Sequence, residues 1–195
     1  MGAVDQPLPP VLDPRAADAV IASRRTCLRM DPELAVDPTT IGELCRLATM
    51  APNHHRTEPW RFAVFTGEGR RTLGDLLAGE LAQAGEPPER VAKTRVKYLR
   101  APAMVLVGSA PGPDPVTTDE NRDAVAAAVQ NLLLGATARG LASFWSSVAA
   151  PRSPALLDLC GFEPGTVVIA AVYLGHPTAT CPPPGRSGPR VRWIG

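Results

Sequence analysis

Arg24-Arg25-Thr26 places two guanidinium forks beside a hydroxyl early in this chain of 195 residues. A second polar group is the loop Asn53-His54-His55-Arg56-Thr57-Glu58, bracketed by Pro52 and Pro59. Late arginines, Arg186, Arg190 and Arg192, make a third. Arginine forks suit phosphates, and each charge-assisted hydrogen bond contributes roughly 1.5–3 kcal/mol. These donors could surround an anionic, hydrogen-bonding ligand. No nucleophile with a matched base stands among them, so the chemistry is expected to reside in a bound cofactor.

Other chemistries lack their residues. There is no Gly-x-Ser-x-Gly elbow and no phosphate-binding Gly-x-x-x-x-Gly-Lys-Ser/Thr loop. Gly67-x-Gly69-x-x-x-x-Gly74 has the wrong spacing for a dinucleotide fingerprint, and Arg70 and Arg71 stand where small residues would pack. His54 and His55 are adjacent and expected to point apart, and His176 sits in a Gly-His-Pro turn, so no metal site is expected. Cys27, Cys45, Cys160 and Cys181 form no Cys-x-x-Cys pair and are expected to be reduced thiols in a cytoplasmic protein.

Net charge is +1, from 20 basic and 19 acidic residues, which argues against nucleic acid or an anionic membrane as the main partner. Hydrophobic residues make up 45% of the chain, as in a globular protein. No apolar stretch reaches the roughly 18 residues of a membrane span. Met1 to Pro14 has no basic start followed by an apolar run, so no secretion signal is expected.

The elements that must hold these residues follow from periodicity. Residues 1–12 read as a flexible, proline-rich arm, and 13–195 as a single domain with an extended C-terminal tail. Asp13-Pro14 starts a helix that should bury Val20 and Ile21 and deliver Arg24 to Thr26 at its end. Thr40-x-x-Glu43 reads as a capping box for a helix with Ile41, Leu44, Cys45 and Ala48 on its apolar stripe. Trp60, Phe62, Val64 and Phe65 suit a strand after the polar loop. A helix over 70–83 presents Leu73, Leu76, Leu77 and Leu81, and a basic helix over 89–99 carries Val91, Val96 and Tyr98.

The continuous apolar run Ala103 to Ser109 predicts a central strand. A Pro/Gly segment, Ala110 to Thr118, is too short for a large lid, so a permissive pocket is expected. Asp119 would cap a long helix reaching Arg139, with so little polar surface that it must be buried in a core or at a subunit contact. Strands are expected within 141–148 and over 167–174, with a short helix over 154–159 between them. Arg190 to Ile194 alternates and could add an edge strand to this chain or to a partner. Helices and strands alternate too irregularly for βαβ units, so the fold class is α+β.

Four segments, in order, resemble the FMN-dependent nitroreductases. Arg24-Arg25-Thr26 is similar to that family's Arg-Arg-Ser start. Residues 51–62, Ala-Pro-Asn-His-His-Arg-Thr-Glu-Pro-Trp-Arg-Phe, resemble its Ala-Pro, polar loop, Gln-Pro-Trp-x-Phe segment. Gly140 to Trp145 resembles Gly-Leu/Phe-Gly-x-x-Trp, and Tyr173 to Pro177 resembles Tyr-Leu-Gly-x-Pro. Compact members with a His in the loop are nearest, and the flavin domain of deazaflavin-cofactor glutamyl ligases is similar too.

The resemblance implies a central, mostly antiparallel sheet flanked by helices, and a homodimer with FMN at its interface. It implies that Arg24 and Thr26 hold phosphate and ribityl, that Arg25 approaches the ring, and that His54 and Glu58 come from the other subunit. Trp145, Ser146 and Ser147 would lie along the isoalloxazine, and Arg186 would reach the phosphate. NADH or NADPH would supply hydride, and a nitroaromatic, quinone or other electron-poor small molecule would receive it in a ping-pong cycle. Arg56 and Glu58 depart from the family's usual Asn and Gln. A carboxylate beside the ring would lower its potential unless Arg56 or Arg61 paired with it. The alternatives are a non-catalytic or biosynthetic flavin or deazaflavin module, and a flavin-free structural dimer.

Overall fold

The structure is a computed structural model that describes residues 13–182 and 185–195. The arm expected over 1–12 lies outside the described residues.

Among the described residues, six helices flank one sheet. In chain order they are α1 (Pro14–Ser23), α2 (Pro38–Ala48), β1 (Trp60–Thr66), α3 (Gly69–Gln83), α4 (Pro88–Lys97), β2 (Ala103–Ser109), α5 (Pro115–Ala138), β3 (Ala142–Ser146), α6 (Pro154–Cys160) and β4 (Val167–Gly175). Short 3-10 turns occupy His54–Arg56 and Tyr98–Arg100. The sheet order is β1-β2-β4-β3, with every neighbouring pair antiparallel. The expected α+β class and central antiparallel sheet are therefore present.

The pleat divides the core into two layers. Val105, Val107, Val172 and Leu174 face α2 and α5, where they meet Leu44, Val125, Val129 and Leu132. Met104, Leu106 and Tyr173 face the opposite way, toward Leu73 and Leu77 of α3, Tyr98 and Phe162. All of β2 is buried, which explains why its sequence is continuously apolar instead of alternating. Gly135 lets α5 lie close to α2: a Cβ there would stand 2.8 Å from Leu44 Cδ2. Gly140, at φ +70, ends the long helix in the left-handed conformation and turns the chain into β3.

Several boundaries differ from the sequence reading, and in two cases an earlier aspartate wins. Asp37, not Thr40, caps α2: its carboxylate accepts from the Thr39 and Thr40 amides, and Pro38 fills the first turn. Asp114, not Asp119, caps α5 through the Thr117 amide, again with a proline next, so the helix begins sooner than expected. The segment before it is correspondingly shorter.

Three packing expectations are corrected. No residue of α1 is buried in the single chain, and Ile21 is 58% exposed, because α1 lies outside the sandwich against one side of α5. The terminal pentapeptide forms no strand on its own chain; Val191, Trp193 and Ile194 are exposed. Nor are all four cysteines reduced: Cys27 and Cys181 form a disulfide, with Cα atoms 5.9 Å apart. The strand-like segment after Thr26 is bridged to Pro177 through Met30, and this brings two cysteines 154 residues apart into range. Cys45 and Cys160 are free, and burial pushes both thiols up to about 11.

Candidate functional site

Helix α1 ends at Ser23, and the next three residues run onto the outer edge of β3. Thr26 bridges Ser143, and the Cys27 amide donates to the Ser143 carbonyl at 3.0 Å. Two residues along β3 stands Trp145, on the same face of the strand as Ser143. Arg24, Thr26, Trp145 and Ser147 thereby line one cleft of about 440 Å³, whose opposite wall is Gln130 and Leu133 of α5. Distant stretches of chain converge there, and their donors include a guanidinium, two hydroxyls and an amide. Arg24 has no carboxylate partner among the described residues.

Other expected residues lie elsewhere. Arg25 turns away from Arg24: it donates to the Ala22 and Arg24 carbonyls and lines a neighbouring cleft with Ser23, Cys27 and Cys181. Ser146 donates to the Ser147 carbonyl and is absent from the lining of the Arg24 cleft. Arg186 sits on the exposed tail.

The loop 53–58 builds a second cleft, of about 280 Å³, with Pro52, Asn53, His54, Glu120, Asp123, Ala124 and Ala127 in its walls. Its backbone is unusual. His55, Arg56 and Glu58 all have positive φ, at 59°, 52° and 47°. Each such residue costs of order 1 kcal/mol or more, so other contacts must hold the loop. Asn53 is the chief of these: its side-chain carbonyl oxygen accepts from the Glu58 amide at 2.8 Å, and its side-chain nitrogen donates to Thr57. Thr57 in turn donates to Asn121 of α5, a buried side chain that also donates to the Ala110 carbonyl.

One expectation about this loop is corrected, and one open possibility is resolved. His54 and His55 do not point apart; their rings stack with centroids 3.7 Å apart, because the left-handed backbone at His55 brings its side chain back over its neighbour. Arg61 does not pair with Glu58. Its guanidinium forks onto Glu163 at 2.9–3.0 Å, and the bond holds the Glu163 carboxyl below the ordinary value of 4.5. Of Glu58, it is the backbone carbonyl and not the carboxylate that accepts from Arg61.

Sequence reasoning missed Gln130, Glu120 and Asn121. All three lie on α5. The signal for Gln130 was present: it and Asn131 are the only polar side chains in the otherwise apolar run from Ala124 to Leu134. Glu120, whose carboxylate lies 3.0 Å from His54 Nδ1, carried no signal, because the contact joins residues 66 apart. Within one chain the two clefts share no lining residue. Glu120 and Gln130 are separated by about 15 Å along the helix at 1.5 Å per residue.

A sheet in this order, with a long buried helix across one face and a polar cleft at the β3 edge, defines a fold with known relatives. The Nitroreductase family profile matches residues 21–176, and the chain belongs to that family. It is similar to "Putative NAD(P)H nitroreductase YdjA" of Escherichia coli K12, at 27% identity over 81% of this chain and 86% of that one. It is also similar to 5,6-dimethylbenzimidazole synthase of Rhodospirillum rubrum, at 32% identity over 77% and 79%. Among solved structures it resembles a nitroreductase with bound FMN from Bacteroides fragilis, with a TM-score of 0.71, 20% identity, and 90% and 97% of the two chains covered.

Proposed function

We propose that the protein is an FMN-dependent oxidoreductase that takes hydride from NADH or NADPH and reduces an electron-poor small molecule. One observation carries the reading: Arg24, Thr26, Gln130, Trp145 and Ser147, from distant parts of the chain, meet in one polar cleft. Its contents suit FMN. Arg24 offers a free fork for a phosphate, Thr26 and Ser147 offer hydroxyls for ribityl oxygens, and Trp145, 38% exposed, offers an aromatic edge to a ring system. Ser143 Oγ, buried and without a partner, lies on the same strand face as Trp145. When bound, FMN supplies the reversible two-electron chemistry that no side chain of the cleft provides. The chain's own task is to anchor the phosphate, hold the ring and leave one side open to the nicotinamide and then to the acceptor.

A homodimer completes the site. His54 and Glu58 do not line the Arg24 cleft of their own chain, so they would reach a flavin only from a second copy. The single chain also leaves uncovered apolar surface at Ile21, Val191, Trp193 and Ile194. The outer edge of β1 is unpaired among the described residues, whereas that of β3 is bridged by Thr26. The alternating pentapeptide Arg190 to Ile194 fits such a free edge on a partner. Arg186, carried on the same tail, and Arg25 are secondary candidates for the phosphate and ring. No helix among the described residues is long and apolar enough to cross a membrane. In the cytoplasm proposed here, Cys27–Cys181 would be a reversible bond.

The name of the Rhodospirillum relative favours a second reading, a biosynthetic flavin-dependent step. One experiment separates the two. The purified protein is loaded with FMN and mixed anaerobically with NADPH or NADH. Bleaching of the flavin band, restored by a nitroaromatic or quinone, is expected. Bound FMN that neither nicotinamide bleaches favours the biosynthetic module, and failure to bind FMN overturns both.

A further inference from the structure

We infer that His54, His55 and Glu120 form a binding site for a divalent transition-metal ion of the zinc class. The three offer one ligand atom each, all within 4.8 Å of one another. His54 Nδ1 and Glu120 Oε2 are 3.0 Å apart. Zinc lies about 2.0–2.2 Å from nitrogen or carboxylate oxygen, so two ligands at adjacent tetrahedral corners are roughly 3.3 Å apart. This pair is already close to that spacing. The His55 ring, stacked on His54, needs only a rotation to present its nitrogen to the same point.

The backbone supports the grouping. Neighbouring side chains ordinarily diverge, and here a left-handed histidine, at φ 59 and ψ 5, folds one ring back on the other. Both rings are exposed, so burial of the rings themselves does not drive the stacking. The surrounding charge has the right sign. Asp123 lines the cleft beside Glu120. Arg56 is the one cation within the loop.

The donor set selects the ion. Two imidazoles and one carboxylate suit zinc, nickel or copper, whereas magnesium and calcium favour oxygen alone. Three protein ligands leave a fourth corner for water or another oxygen donor. The site does not rest on the flavin reading, because a metal on Nδ1 of His54 leaves Nε2 available, and neither His55 nor Glu120 belongs to the Arg24 cleft.

The test is calorimetric titration of the full chain with zinc chloride, with and without FMN. One ion per chain is expected in both. His55→Ala and Glu120→Gln should each weaken it by roughly tenfold or more, while His176→Ala should leave it unchanged. Circular dichroism of each variant confirms that it is folded. Equal affinity in wild type and Glu120→Gln overturns the proposal. So does a cobalt-loaded protein whose spectrum shows thiolate coordination, which would place the ion on Cys45 or Cys160. Loss of FMN binding with zinc binding intact would overturn the flavin reading alone.

Discussion

The Arg24 cleft and the His54 loop are both polar and both touch α5, yet they are held in different ways. Arg24 to Thr26 lie between a helix end and a strand bridge, and Trp145 is fixed by the β3–β4 ladder. Regular backbone hydrogen bonds aim those side chains. The loop has no ladder. Three left-handed residues are kept in place by Asn53, Thr57 and Asn121. A site on regular elements is stiff by construction, while one on a strained loop depends on a few side chains.

Perturbing each region sharpens this contrast. The largest effect is expected at the disulfide that ties Cys27, next to Thr26, to the tail. Reduction, or Cys27→Ser, should lower stability by about 2–4 kcal/mol, read as a fall in melting temperature. Native protein should meanwhile resist alkylation at Cys45 and Cys160 near neutral pH, because burial raises both thiols to about 11. Next comes Arg24→Ala. It should weaken FMN binding by about 1.5–3 kcal/mol, roughly ten- to more than a hundredfold, with little change in melting temperature of the flavin-free protein. An unchanged affinity would detach the phosphate from this cleft.

In the loop the sign reverses. His55→Gly removes a left-handed side chain and should stabilise the metal-free protein by about 1 kcal/mol in a denaturant titration. Destabilisation would mean the stacked ring contributes more than its backbone costs. Glu58→Gln should raise the flavin midpoint potential, since Arg61 is committed to Glu163 and does not neutralise Glu58. No shift on spectro-electrochemical titration would place Glu58 away from the ring.

The smallest effect is expected at the Arg61–Glu163 pair, whose side chains are 36% and 41% exposed. Glu163 titrates lower when folded than when unfolded. Its contribution is therefore complete above the ordinary glutamate value of 4.5 and disappears as pH falls through the lower folded value. The gap in melting temperature between wild type and Glu163→Gln should shrink on acidification. A gap constant with pH would remove the charge from the explanation.

Much of the framework was legible because it is local. The apolar run 103–109, the Leu periodicity over 73–81 and the glycine at 140 each state their own structure within a few residues. The helix starts differ from the sequence reading because Thr40 and Asp119 are also acceptable caps; Asp37 and Asp114 prevail by standing directly before a proline suited to the first turn. The α1 face reads as buried in the sequence because periodicity reports an apolar side without saying whether its cover comes from the same chain.

Residue types and order alone established the α+β class, the family resemblance and the arginine–threonine group, since these depend on side chains and short-range geometry. Only the folded chain could pair Cys27 with Cys181, set Glu120 against His54, give Arg61 to Glu163 and seat Gln130 opposite Trp145. Each joins residues that are neighbours in space but not in sequence, and the partner in each case is chosen by sheet register and helix packing, which no local pattern encodes.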